Sequence, residues 1–281
     1  HVFGREARAA VEKAREAVAQ ALAVSAGEIL FTSSATEANN LAIKGVALRC
    51  LGEPCHMILS AVEHSSVRNV FGYLKERFPH VSLTVLEVDS EGRVSPQALE
   101  EALLPETVLV SVMHANNETG AVQPVAELSE VVRRHGKALF HCDAVQTFTK
   151  LPVRPEELGA DLLTVSSHKI YGPKGAGALY IRDNLKLEAL HHGGSQEKRR
   201  RAGTEDTAAI VGFGRAVGLA QELHSWMTSH LKQLEQRFLQ TLDSEGCSYM
   251  INGCRDNCLA GLLNLSFRGV SSQDLVVALD L

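Results

Sequence analysis

The sequence lacks the features that mark membrane, secreted and nucleic-acid-binding proteins. Its 281 residues contain no apolar run long enough to span a bilayer, and nothing near the first residue has the pattern of a signal peptide. The net charge is -5, without the basic stripe that a nucleic-acid-binding protein normally presents. Hydrophobic residues make up 45% and charged residues 22% of the chain. These values predict a globular protein with neither a membrane nor a nucleic-acid partner.

Cysteines are few and scattered, without the paired C-x-x-C spacing of a zinc site. A chain of this length does not need disulfides for stability, so we expect reduced thiols and a cytoplasmic protein. The six cysteines are Cys50, Cys55, Cys142, Cys247, Cys254 and Cys258. Capping and stop signals are also lacking at both ends, where an amphipathic helix opens the chain and DLVVALDL closes it. We therefore expect a chain that is truncated at both ends.

Apolar, strand-like segments alternate with amphipathic, helix-like segments along most of the chain. Most of the strand-like segments are continuously apolar, which is typical of a buried and mainly parallel sheet. The pattern predicts an α/β fold with a mainly parallel seven-stranded sheet flanked by helices. We assign residues 1–220 to this large domain and residues 221–281 to the start of an incomplete small α/β domain. The seven segments begin at residues 29, 57, 81, 107, 138, 161 and 175.

Five polar clusters directly follow predicted strands: SSATE, EHSS, NNETG, DAVQ and SHK. In open α/β sheets, ligands bind beyond the carboxyl ends of the strands. We therefore expect these clusters to form one site.

Lys169 is the first candidate for chemistry in that site. It follows two serines and His168 and precedes a loop rich in glycine and proline. A lysine in such surroundings is a candidate to hold pyridoxal 5'-phosphate (PLP) as a Schiff base. The alternative is an ordinary exposed lysine, which is the commoner case for any single lysine.

Asp143 and a serine-rich turn supply complementary groups. A carboxylate at the end of an apolar strand needs a cationic partner, which the protonated pyridine nitrogen of PLP would provide. The alternative for Asp143 is a helix N-cap. Ser33, Ser34 and Thr36 lie between a strand and a helix, where a phosphate can be bound, and Ser166 and His168 are further candidate phosphate ligands.

In this combination, the chain resembles the cysteine desulfurases, the NifS-like branch of the class V aminotransferases. These enzymes are PLP-dependent transferases of fold type I. The matching segments run in family order over about residues 1–215: FTSSATEANNLAIKG, EHSSV, MHANNETGAVQPV, HCDAVQ, SSHKIYGPKGAGALYIR and GGSQEKRRRAGTEDTAAIVGFG.

The resemblance implies a set of roles. Lys169 and His64 would be catalytic, with His64 stacked on the pyridine ring, and Thr204 would reach the cofactor of a neighbouring subunit in a homodimer. The cofactor-binding residues it implies are Ala35, Thr36, His64, Asn117, Asp143, Gln146, Ser166, His168, Lys169 and Thr204.

The implied reaction converts L-cysteine to L-alanine and passes the sulfur, as a persulfide, to an acceptor such as an iron–sulfur scaffold or a thiolation protein. One departure from the family pattern is Ser195, which stands where the family has glycine. A second is that none of the six cysteines matches the nucleophile of the family. We expect that cysteine, and the arginine that binds the substrate carboxylate, beyond residue 281.

Three alternatives remain open. A selenocysteine lyase would share the cofactor site. Another class V aminotransferase would use the same Lys169 and Asp143 without a nucleophilic cysteine. A catalytically silent chain would bind PLP or a partner desulfurase without turnover.

Overall fold

A seven-stranded sheet forms the centre of the protein. The structure is a computed structural model that describes residues 1–50, 52–254 and 256–280. The strands lie in the order β1-β7-β6-β5-β4-β2-β3, and only β7 runs antiparallel to its neighbours. They are β1 (Ile29–Thr32), β2 (Cys55–Ser60), β3 (Val81–Leu86), β4 (Thr107–Ser111), β5 (Leu139–Asp143), β6 (Leu162–Ser166) and β7 (Gly177–Ile181).

Helices cover both faces of this sheet. The first seven are α1 (Val2–Leu22), α2 (Ala35–Ala47), α3 (Ser65–Arg77), α4 (Pro96–Ala102), α5 (Val125–His135), α6 (Pro155–Leu158) and α7 (Thr207–Ser244). Buried apolar side chains of α1, α5 and α7 pack on one face, and those of α2 and α3 pack on the other. Burying both faces explains why the strands are apolar along their whole length. The predicted fold class is thereby confirmed.

Strand β5 shows how the two faces differ. Phe140 and Cys142 belong to the core on the α1, α5 and α7 side. The alternate residues His141 and Asp143 point to the other face, since side chains alternate along a strand. His141 is hydrogen-bonded on both sides, to Ser111 at 2.8 Å and to Thr164 at 3.2 Å. This side of β5 is therefore polar, and it leads directly to Asp143.

The chain ends in smaller elements. A two-stranded antiparallel sheet pairs β8 (Tyr249–Ile251) with β9 (Leu265–Phe267), and α8 (Ser272–Leu279) follows. The domain division expected at residues 220 and 221 falls inside α7, which continues through it as one helix. The division into a large and a small domain stays a prediction. Within the described residues, no helix is both long and apolar enough to cross a membrane.

Candidate active site

The polar clusters that follow the strands meet at one edge of the sheet. Strands β1, β2, β4, β5 and β6 all point the same way, because β1 and β6 are each antiparallel to β7 and the other pairs are parallel. Their carboxyl ends therefore lie side by side. This is the edge at which doubly wound sheets bind ligands.

Asp143 is the buried charge of this edge. Its side chain ends β5, and the residue is 5% exposed. Oδ2 accepts a hydrogen bond from Asn39 Nδ2 at 2.8 Å, and Oδ1 accepts one from the amide of Val145 at 3.0 Å. Burial raises the pKa of Asp143, while these two hydrogen bonds and the nearby His64 act to lower it. Among the described residues, no lysine or arginine forms an ion pair with this carboxylate.

A chain of hydrogen bonds joins Asp143 to His64. Asn39 Nδ2 also donates to Ser66 Oγ at 2.9 Å, and Ser66 Oγ lies 2.8 Å from His64 Nδ1. His64 is the N-cap of α3, where its Nδ1 accepts from the amide of Ser66 at 3.1 Å. The helix cap fixes the imidazole, which remains exposed. The other ring nitrogen of His64 is thus available at the open edge.

The N-terminus of α2 offers an anion site. Ser34 caps the helix by accepting from the amide of Glu37 at 3.2 Å, so Ala35 and Thr36 occupy the first turn. The amides of the first turn have no partners within the helix and carry the positive end of its dipole. Anions bind at such positions.

Gly177, the first residue of β7, lies directly against the N-terminus of α2. It pairs with Thr32 on one side and with Ser166 on the other. A Cβ at Gly177 would lie 2.6 Å from the carbonyl carbon of Ser34 and 2.8 Å from the amide nitrogen of Ala35. Only glycine allows this approach. It brings Ser166, whose hydroxyl lies 2.8 Å from His168 Nδ1, to the edge that carries the helix N-terminus.

Lys169 lies on the single 3-10 turn Ser167–Ile170 that follows β6, and its side chain is exposed. The turn ends at Tyr171, which has the left-handed φ of 62°. The charge of Lys169 reaches two neighbours. After burial, which is the larger cause, it lowers the pKa of Lys150 and of His168. Lys169 therefore lies at the end of β6, close to Lys150 and His168.

The remaining predicted residues are placed more loosely. Asn117 and Gln146 follow β4 and β5 and are partly exposed. Asn116 shapes the turn before Asn117, because its Oδ1 accepts from the amides of Glu118 and Thr119 at 2.9 Å. Thr204 is exposed in the segment before α7. In the described parts of the chain, no hydrogen bond joins the side chains of Asn117, Gln146 or Thr204 to the other candidate residues.

The comparison with known proteins decides the family. A family model described as aminotransferase class-V matches residues 1–281. The chain belongs to the aminotransferase class-V family. Within this family, the cysteine desulfurase IscS of Dictyoglomus turgidum is 44% identical over 281 residues, which cover 100% of this chain and 71% of the relative. A putative cysteine desulfurase IscS 1 of Bacillus subtilis is 42% identical, with 100% and 73% covered.

Solved structures agree with this class-V assignment. A NifS-like protein superposes with a TM-score of 0.94 at 37% identity, covering 100% of this chain and 76% of the other. SspA in complex with cysteine superposes with a TM-score of 0.85 at 38% identity, covering 100% and 77%. The resemblance expected from the motifs is therefore confirmed at the level of the family and its fold.

Three residues of this class-V site were missed by the reasoning from sequence: Asn39, Ser66 and Gly177. Asn39 lies inside a helical pattern, and Ser66 was seen only as a member of the EHSS cluster, without a role of its own. Gly177 was visible only as one of several glycines in a loop. The pairing of Gly177 with both Thr32 and Ser166 is what shows its role.

Replacing Gly177 with alanine is expected to weaken binding of PLP about tenfold, since overpacking a tight contact costs about 1 to 3 kcal/mol. The added Cβ must push β7 away from the first turn of α2, to which the phosphate is expected to bind. An absorbance titration of the chain with PLP measures the affinity. Gly72→Ala is the matched control, because a Cβ there meets nothing within 4 Å. Equal affinities for the two variants would contradict the close approach at Gly177.

Proposed function

We propose that the chain binds PLP at this edge and forms the core of a cysteine desulfurase. The observation that carries the proposal is the buried Asp143, which has no ion-pair partner among the residues that the structure describes. It lies at the end of the strand next to the one that precedes Lys169. A buried carboxylate is costly unless a cation pairs with it. The pyridinium nitrogen of PLP is such a cation.

The other groups at the edge fit the rest of the cofactor. The amides of Ala35 and Thr36 with Ser166 and His168 would hold the phosphate, and the close approach at Gly177 brings these two groups of residues together. Asn117 and Gln146 would contact the side of the ring that carries the hydroxyl group. When bound, PLP supplies an electron sink that stabilises negative charge on the substrate α-carbon.

The protein side chains have distinct roles in the proposed reaction. The Lys169 amine would hold the cofactor and would serve as the base for the α-proton of the substrate. Asp143, which Asn39 and Val145 hold in position, would stabilise a protonated ring nitrogen through its negative charge. His64 would contact the ring and move protons from its capped position on α3.

We propose L-cysteine as the substrate and L-alanine as the product, with the sulfur leaving to an acceptor for iron–sulfur or thio-cofactor assembly. Support comes from the relatives, which are named cysteine desulfurases, and from the similar SspA structure, which is a complex with cysteine. Cys142 adjoins Asp143 but cannot serve as the thiolate. It faces the opposite core, and burial raises its pKa well above the usual value.

The proposal extends to a homodimer in the cytoplasm. Thr204 is exposed, and it would complete the phosphate site of a second copy of the chain. The segment before it is held in place by the ion pair of Arg201 with Glu37, at 2.7 Å, beside the N-terminus of α2. Sedimentation of the PLP-loaded chain measures the oligomeric state.

The test of the function uses a step that needs no sulfur nucleophile. With PLP added, the chain is expected to exchange the α-proton of L-alanine for deuterium in heavy water, as followed by NMR. Borohydride should then fix PLP onto the peptide that contains Lys169. Formation of alanine from L-cysteine tests the complete reaction. Exchange without alanine formation favours a class-V site without desulfurase turnover. The absence of both exchange and fixation would refute the proposed PLP site.

A further inference from the structure

Glu63 is a second buried carboxyl group beside the proposed site, and the reaction described above does not use it. It directly precedes His64 and is 3% exposed. Oε1 accepts from Ser60 Oγ at 2.8 Å and from the amide of Met113 at 2.6 Å. Oε2 is buried and has no hydrogen-bond partner among the described residues. Both donors to Glu63 are neutral, and no cation in the described chain forms an ion pair with it.

The contacts of Glu63 join two loops of the site. Its carboxyl group belongs to the loop of His64, and the amide of Met113 belongs to the segment that leads from β4 to Asn117. A second hydrogen bond runs in the same direction, from Asn116 Nδ2 to the carbonyl of Val62 at 3.2 Å. The two loops are thus fastened through Val62 and Glu63 on one side and through Met113 and Asn116 on the other. Any shift of Glu63 would move His64 relative to Asn117.

The surroundings of Glu63 oppose a negative charge on it. Burial is the larger cause and the negative charge of Asp143 the second, and together they raise the pKa of Glu63 to about 8. His114, next to Met113, offers no compensating charge, because burial lowers its pKa to about 4. Cys142 is also near. Burial is the main cause that raises the pKa of its thiol, and interactions with Asp143 and Glu63 raise it further.

Asp143 and Glu63 differ in the hydrogen bonds that stabilise a negative charge on each carboxyl group. Asp143 accepts two hydrogen bonds, one on each oxygen. Burial raises its pKa, but these two hydrogen bonds and His64 oppose that rise. Glu63 has both of its donors on one oxygen, and its other oxygen is bare. A bare buried oxygen is far less costly on a neutral acid than on an ion. Since two adjacent buried carboxylates do not ionise together, the proton belongs on Glu63.

We propose that Glu63 is a positioning residue that remains a neutral acid at neutral pH, fastens the His64 loop to the Asn117 segment, and leaves Asp143 as the single charged carboxylate for the cofactor. The role in cofactor binding rests on the proposed function. The protonation of Glu63 does not, because every group that enforces it belongs to the chain itself.

Infrared spectroscopy of the chain, with and without PLP, tests the protonation directly. A protonated carboxyl group has a carbonyl stretch that is separate from that of a carboxylate. We expect this band at neutral pH in the cofactor-free chain, with a midpoint of loss at about pH 8. Glu63→Gln should lack the band. Asp143→Asn should keep it but lower the midpoint by roughly one pH unit, because the like charge is gone.

Glu76→Gln is the matched control, since Glu76 is exposed on α3, and it should leave the band unchanged. A band at neutral pH that persists in Glu63→Gln would overturn the assignment of Glu63 as a protonated, neutral acid. A midpoint that Asp143→Asn does not move would overturn the coupling to Asp143.

The positioning role is tested by the affinity for PLP. Glu63→Gln keeps an oxygen acceptor for Ser60 and Met113 and should bind PLP within about twofold of the parent chain. Glu63→Leu removes the acceptor at similar volume, leaves two buried donors unpaired, and should bind about tenfold more weakly. Equal affinity for the Gln and Leu variants would overturn the positioning role. If the Leu variant does not fold, a Gln variant that binds about tenfold more weakly than the parent overturns it. Failure of the parent chain to bind PLP, with the infrared band present, refutes the proposed function and leaves the protonation standing.

Discussion

Lys169→Ala is expected to lower the rate of α-proton exchange by roughly 10³-fold or more, because removal of a positioned general base alone costs about 10²- to 10⁴-fold. The same variant loses the covalent bond to the cofactor, so borohydride should no longer fix PLP onto the protein. The Lys169 side chain is exposed, and its truncation leaves the core untouched. Exchange followed by NMR and mass analysis of the reduced protein measure the two effects.

Lys13→Ala is the matched control, since Lys13 is exposed on α1, outside the loops that follow the strands. It should retain both exchange and fixation. Lys150 is the informative second variant, because it lies close enough to Lys169 for the charge of Lys169 to lower its pKa, after the larger effect of burial. If Lys169→Ala is still labelled after reduction, and Lys150→Ala is not, the amine that holds the cofactor has been assigned to the wrong lysine.

Asp143→Asn is expected to be the second most damaging change. Loss of one preorganised charge from an active site costs about 10²- to 10³-fold in rate, and exchange should fall by that amount. An amide also cannot accept from both Asn39 and the amide of Val145, so one of these donors loses its partner. PLP should still be fixed by borohydride, because Lys169 is intact. Exchange rates and the absorbance spectrum of the bound cofactor separate the two effects.

The control for this variant is Asp161→Asn. Asp161 directly precedes β6, at the opposite edge of the sheet, where it accepts from the amide of Phe140 and pairs with Arg182. Its replacement should lower the melting temperature and leave exchange unchanged. An exchange rate that Asp143→Asn does not reduce would mean that Asp143 is not the partner of the ring nitrogen.

The fold was predictable because each strand is apolar along its whole length. A continuous apolar run such as that of β6 is stable only where both faces are covered, which indicates a layered α/β fold. The antiparallel direction of β7 was not predicted. Ten residues separate β6 from β7, including the 3-10 turn of Lys169, and a parallel crossover normally requires a dozen or more. That short connection was the available signal.

The candidate site residues could be selected from the sequence because they follow strands, and their roles stay predictions. The residues that support them could not be selected in this way. Asn39 contacts Asp143 across 104 positions of sequence, from inside a helix. Nothing local marks such a contact, since it arises only when α2 packs on the sheet beside β5. Glu63 illustrates the same limit. In the sequence it belongs to a polar cluster, and only the folded chain shows that its side chain is buried while the neighbouring His64 is exposed.

Helix α2 serves two ends of the proposed cofactor at once. Its first turn, at Ala35 and Thr36, faces the phosphate position, and Asn39 fixes Asp143. Asn39 lies four positions after Ala35 in the helix, which corresponds to a rise of about 6 Å along the helix axis. The helix therefore fixes the distance between the amides of its first turn and Asn39. In the proposed site, it would favour a ligand whose anionic group and ring nitrogen are set at one fixed spacing, and vitamers that lack the phosphate would bind more weakly.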